Sequence, residues 1–189
     1  MGSQDVGERD DLSPWWRYGV LAIVLVEFGV LFWLAASSYS IGPPIPARVV
    51  GPDGETVFTG ADVTAGQQVF QKYGLMDNGS FWSHGAYLGP DFSAAYLHRL
   101  AMDVRADSAF ATPDAVRALL AENRYDPATR VLRFTRAEAA SYREQIQYWT
   151  GYFTDVDANR GLTAKAVSDP QELRQLTAFF AWGGLGVRR

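Results

Sequence analysis

From Tyr18 to Ser40 the only charged residue is Glu27. At 1.5 Å rise per residue that run is long enough to cross a hydrocarbon core of about 30 Å as a helix. A cleaved leader is the rival reading, but its apolar region would be only about 7–15 residues behind a basic start. Here the run is longer and Asp5, Glu8, Asp10 and Asp11 make the start acidic. The expectation is a retained transmembrane helix over 15–40 behind a solvated tail over 1–14. Trp15, Trp16 and Tyr18 at one end and Trp33 and Tyr39 toward the other suit interfacial aromatic anchoring. Arg9 and Arg17 precede the span and Arg48 follows it, which favours a cytoplasmic amino terminus.

Glu27 is the costly residue of that helix. A carboxylate at such depth carries a penalty of about 2.5 kcal/mol or more, so it should face protein, water or a partner. It reads as a packed, hydrogen-bonded or protonated side chain, with a proton-path or quinol-related role as the rival.

Past the span, Gly42 to Pro46 is stiff and extended because proline fixes φ and removes donors. Arg48 to Val50 and Thr56 to Thr59 read as two short strands about the turn at Gly51 to Gly54. Asp62 or Thr59 then caps a helix leading to Tyr73, with Val63, Val69, Phe70 and Tyr73 at helical spacing. Gly66 inside it costs about 1 kcal/mol relative to Ala in a free helix, so a close helix contact is expected there.

After the breaker Gly74 the chain becomes an aromatic loop ending in Gly89-Pro90-Asp91. A helix follows with Tyr96, Leu97, Leu100 and Val104 inward. Thr112 and Pro113 start another, to about Asn123. Tyr125 to Thr129 reads as a turn and Val131 to Phe134 as a short strand. Thr135 and Glu138 form a capping box for a long helix through Trp149 and Tyr152. Asp169, Pro170 and Glu172 start the last helix in the same way, and it should stop at Gly183-Gly184. Leu173, Leu176 and Phe180 on it are expected to pack against Val69 and Phe70.

The order of helix, Gly74 breaker and returning loop is how a small cytochrome c begins. Such a domain attaches its haem through Cys-x-x-Cys-His directly after the helix, yet the sequence has no cysteine. The flanking pattern resembles, without a gap, the cytochrome c subunit of the two-subunit bacterial nitric oxide reductases. There a helix with Gly-x-x-Val-Trp leads into Cys-x-x-Cys-His, followed by Gly-Ala-Tyr-x-x-Pro. On this register Leu75 and Asn78 take the two cysteine positions and Gly79 the histidine position. Val69 to Met76, His84 to Phe92 and Pro43 to Pro46 are similar to the single-chain, quinol-dependent nitric oxide reductase, with the likeness running from about Trp15 to Trp182.

That resemblance implies a mainly α chain. One N-terminal transmembrane helix is followed by an extracytoplasmic, haem-less cytochrome c-like domain over 41–172 with a small β-hairpin, and 173–189 form a truncated start of a second membrane helix. From Gln175 to Val187 the uncharged run is shorter than the roughly 17–25 residues a span needs. The family reduces two nitric oxide to nitrous oxide and water with electrons from quinol, at b-type haems and a non-haem iron held mainly by histidines on later membrane helices. This chain has two histidines, His84 and His98. It is expected to hold no cofactor and to be inactive alone, with the lipid membrane and the remaining reductase helices as partners in a bacterial inner membrane. Quinol belongs to the full-length enzyme.

The other residues read as structural. His84 is expected to bond backbone in its loop, and His98 to be solvated or to cap a neighbour. Met76 and Met102 read as packing material. Phe81, Trp82, Tyr87 and Phe92 are expected to fill the volume a haem would take, with a quinol surface as the rival. Net charge is −4 with no basic run, which argues against a nucleic-acid partner. Two rival functions remain: a stand-alone, single-span docking module, and a divergent cytochrome binding haem without covalent attachment.

Overall fold

The computed structural model describes residues 13, 15–106, 112–155, 157, 159 and 161–186. Nearly all of the expected tail over 1–14, and the terminal Arg188-Arg189, lie outside them. The chain divides into two compact units, 1–43 and 44–189.

The first unit holds helix α1, Trp15–Ile41. Its stretch Trp15–Ser38 is long and apolar enough to cross a membrane, and none of its most apolar window is buried among the described residues. Glu27 is exposed on it. Near its end the Ser38 hydroxyl donates to the Leu34 carbonyl at 2.9 Å, which satisfies a polar group without a partner helix.

The second unit is mainly helical. Strands β1 (Arg48–Val50) and β2 (Thr56–Thr59) pair antiparallel about the predicted turn. The sequence showed this hairpin and the short strand at Val131 to Phe134, and the structure joins them in a four-stranded sheet of order β2-β1-β6-β5. Strand β6 (Val131–Arg133) lies parallel to β1, with Val49 opposite Leu132. Tyr125–Asp126, expected as part of a turn, is strand β5 against β6. The turn residues are those beyond it: the Asp126 carboxylate accepts from the Ala128 amide and the Thr129 hydroxyl.

Helix α2 (Gly60–Lys72) starts at a capping box in which Thr59 accepts from the Asp62 amide and Asp62 accepts from the Thr59 amide. It ends because Gly74 turns left-handed, at φ +59°. Helix α3 spans Phe92–Ala106, α4 Pro113–Ala121 and α5 Arg136–Thr154. The predicted caps at Thr112 and Thr135 are both present. On α3, Leu97 is only half-buried, while Phe92 and Ser93 join the buried face.

Helix α6, Pro170–Gly186, corrects the expected stop at Gly183-Gly184. A Cβ at Gly183 would lie 2.8 Å from Phe81 Cε2 and closer still to Cζ, and one at Gly184 would lie 3.0 Å from the Ser93 carbonyl oxygen. These glycines are there for close approach, not as terminators. Asp169 caps α6 as expected, accepting from the amides of Gln171 and Glu172. Glu172 does not close the box; it turns to Lys72 Nζ at 2.6 Å and the Tyr73 hydroxyl at 2.7 Å.

The domain is centred on the crossing of α2 and α6. A Cβ at Gly66 would collide with the Gln175 carbonyl and lie 2.8 Å from Phe179 Cβ, so glycine sets the interhelical distance. Phe70 then sits among Phe92, Phe179 and Phe180 with centroids 5.5, 5.5 and 6.1 Å away. Leu173, Leu176 and Phe180 are buried, as expected of that packing.

Candidate functional site

The segment after α2 is where chemistry would be expected, and its residues are packed shut. Gly74 leads into a single 3₁₀ turn, Leu75–Asp77, and the amides of Asn78 and Gly79 donate back to the Leu75 carbonyl. Leu75 is fully buried. Asn78 is buried, and its Oδ1 accepts from the Tyr152 hydroxyl at 3.2 Å. Gly79 lies beneath Pro90 and Phe92: a Cβ there would press on the Pro90 carbonyl and lie 2.7 Å from Phe92 Cε2.

The roof over these positions is a tight hairpin of β3 (Ser80–Phe81) and β4 (His84–Gly85). Its two turn residues, Trp82 and Ser83, have φ of 52° and 64°. Non-glycine residues at positive φ are strained, at about 1–3 kcal/mol each, so something must hold them. Asp91 does much of it. Its Oδ2 accepts from the Ser83 amide at 2.6 Å and the Ser80 hydroxyl at 2.9 Å, while Oδ1 accepts from the Ser93 hydroxyl at 2.6 Å and the Ala94 amide at 2.9 Å. Ser93 Oγ in turn accepts from the Trp82 amide at 3.1 Å. Burial pushes the Asp91 carboxyl up, but the bonds from Ser93, Ala94, Ser83 and Ser80 outweigh it and hold the pKa below the usual carboxylate range. The Trp82 indole donates to the Gly183 carbonyl at 2.9 Å and ties the hairpin to α6.

The candidate residues scatter around this roof. His84 Nδ1 lies 2.8 Å from the Trp82 carbonyl oxygen, the backbone partner expected of it, and the residue is exposed. His98 is exposed on α3. Met76 and Met102 are 41% and 59% exposed, so neither is the packing material expected from its residue type. Of the aromatic set, Phe92 is fully buried and stacks on Phe180 with centroids 4.8 Å apart, and Phe81 stacks on Phe179 at 4.3 Å. Trp82 is half-buried. Tyr87 is 83% exposed and fills no interior volume, because the loop turns it outward beside Leu88.

Covalent haem does not fit these residues. There is no thiol to attach it, and at Gly79, which the resemblance sets at the histidine position, the space of a Cβ is taken by Pro90 and Phe92. Among the described residues no group of three or more His, Asp or Glu side chains could hold a metal ion.

Asp91 and Ser93 were missed by motif reasoning, although an Asp just before an apolar helical run is the ordinary N-cap signal. Arg124 was missed too. Its guanidinium donates to both carboxylate oxygens of the buried Glu138 at 2.7 Å, and to the Leu119 and Arg133 carbonyls.

Among curated proteins none matches the chain. The family model of the cytochrome c-like domain of NorB, a nitric oxide reductase subunit, matches residues 46–186, about three quarters of the sequence. A helix crossing built on Gly66, a loop laid over Leu75 to Gly79 and a membrane-length helix ahead of the domain agree with that match, and the chain belongs to the NorB family of nitric oxide reductase proteins through its cytochrome c-like domain.

Proposed function

We propose that the chain is the N-terminal, membrane-anchored part of a quinol-dependent nitric oxide reductase. In that enzyme two nitric oxide and a quinol become nitrous oxide, water and quinone, in denitrification or in nitric oxide detoxification. The observation that carries the reading is the closed loop: Leu75, Asn78 and Gly79, which the resemblance aligns with haem-attachment positions, are each committed to packing or to the Tyr152 hydrogen bond. A domain of this family that cannot take electrons through its own haem suits an enzyme reduced directly by quinol in the membrane.

In this reading α1 spans the bacterial inner membrane once, the domain lies on the extracytoplasmic side, and 173–189 are the start of a second membrane helix. The catalytic irons are held by the remaining helices, since two histidines cannot supply their ligands. The chain's own role is to anchor and position, and alone it turns over no nitric oxide.

Two measurements test this. The purified chain in detergent should show no Soret band and consume no nitric oxide with reduced quinol; a band at one haem per chain would overturn it. The DNA downstream should encode histidine-rich membrane helices, in frame or after a single-base shift. A clean stop followed by unrelated genes would instead establish the stand-alone docking module.

A further inference from the structure

The first residues of the domain are held by a tryptophan on one flank, at Pro44, and by an arginine on another, at Ile45. The Trp182 indole donates to the Pro44 carbonyl at 3.3 Å, and the Trp82 ring lies 5.2 Å from Trp182. Both tryptophans are half-buried, and each indole N–H donates to a backbone carbonyl, Trp82 to Gly183 and Trp182 to Pro44. On another flank of the same strap the Arg130 guanidinium donates to the Ile45 carbonyl at 3.1 Å, and the Ala47 amide donates to the Arg130 carbonyl at 2.7 Å. Arg48 begins strand β1 and pairs in register with Val131, the residue after Arg130. Both arginines are exposed. Of the carboxylates near them in sequence or register, Asp53 lies 3.7 Å from Arg136, Glu55 lies 3.5 Å from Arg143, Asp126 accepts from Ala128 and Thr129, and Asp62 accepts from Thr59. Arg130 also holds φ of 54°, a left-handed position where glycine would be unstrained.

Chain length bounds where this surface can be. Helix α1 ends at Ile41, and a chain reaches at most about 3.6 Å per residue, so Pro44 lies within about 11 Å of Ile41 whatever path is taken. At about 1.5 Å per residue α1 is about 40 Å long, which carries its end into the headgroup layer of a bilayer about 40–45 Å thick overall. In the anchored reading the residues around Pro44 are thus tethered within about 11 Å of the end of the span.

We propose that Arg48 and Arg130, flanked by Trp82 and Trp182, form a docking surface for anionic phospholipid headgroups of the membrane that holds α1. Guanidinium groups bind phosphate oxygens in a bidentate fork, and indoles settle where an apolar ring meets water. An anionic leaflet adds attraction for each Arg near its surface, so two arginines beside a short tether orient the domain rather than anchor it. This docking rests on the anchored reading above, in which α1 spans the membrane.

The absence of cysteine allows a single nitroxide to be placed anywhere in the full chain. Ala128→Cys puts it in the turn that carries Arg130, and Val26→Cys puts it within α1. In vesicles of phosphatidylcholine with phosphatidylglycerol and a nickel-chelating lipid, the label at 128 should relax several-fold faster than without nickel. The enhancement should fall by about half or more when phosphatidylglycerol is replaced by phosphatidylcholine, and likewise in the Arg48→Gln/Arg130→Gln chain. The lipid exchange leaves the protein unaltered, so it decides the matter even if the double variant folds poorly. If the label at 26 lies in hydrocarbon while the label at 128 feels no nickel, or feels it equally in both lipids, the surface is wrong and the anchoring reading stands. If the label at 26 is in water, the anchoring reading falls and this surface falls with it.

Discussion

Two side chains that lie close in sequence divide the domain's stability very unequally. Phe70 is 3% exposed and meets four other phenylalanine rings, whereas His84 is exposed and makes one bond to its own turn. Phe70→Ala should cost about 3–5 kcal/mol of the roughly 5–15 kcal/mol typical of a domain. His84→Ala should cost well under about 1 kcal/mol, as surface changes do. Denaturant unfolding of the chain in mild detergent compares them, and a reversed order would sink this account of the core. Asp91 sets an acid limit. Its folded pKa is depressed, so its contribution is fully present above the unfolded value of about 3.9 and is lost as pH falls through the folded value. Asp91→Asn should flatten the fall in stability below about pH 4 and release the Trp82-Ser83 turn; an unchanged acid limb in the variant would argue against it. Asp91 was legible as a helix cap. Its hold on Ser80 and Ser83 was not, because those contacts run backward over a turn with no Asn-Gly signature.

Among the elements, the α2 and α6 crossing makes a prediction with an unusual sign. In a solvated helix Gly66→Ala would gain about 1 kcal/mol. Here the new methyl meets the Gln175 backbone and Phe179 Cβ, neither of which is the loose end of a flexible side chain. Overpacking should therefore cost about 1–3 kcal/mol, read as a lower denaturation midpoint with an unchanged slope. A stabilised variant would mean the helices do not approach this closely. At the start of α5, Glu138 serves both as the capping-box partner of Thr135 and as the carboxylate of Arg124, and its side chain is 1% exposed. Arg124→Met leaves that charge buried and should cost about 3–5 kcal/mol, more than Thr135→Ala at about 1 kcal/mol. Equal losses in the two variants would show the ion pair to be unimportant. The cap was visible as Thr-x-x-Glu, but the arginine was not, since nothing local marks a partner that arrives from the far side of a β-turn.

At the scale of the whole molecule, the two units carry different tasks. Helix α1 has an apolar surface left uncovered, and the domain exposes few large apolar side chains beyond Met76, Tyr87, Leu88 and Met102, both among the described residues. With the domain outside, protease added to intact spheroplasts should remove it and leave a membrane-bound remnant containing α1. Full protection, with cleavage only after lysis, would place the domain on the opposite side.

The elements of this protein were written in its sequence. Apolar length marks α1, caps mark α2, α4, α5 and α6, and the lack of cysteine leaves no thiol for a covalently attached haem. Each is a local property of a few residues, so periodicity, capping chemistry and composition suffice to read it. Tertiary structure alone decided the rest. The parallel pairing of β1 with β6, the passage of α6 through Gly183-Gly184 and the outward turn of Tyr87 depend on partners distant in sequence. A glycine pair reads as a helix stop because glycine is costly in an isolated helix. Only when Phe81 and Ser93 are brought against it does the missing side chain become the reason the helix continues.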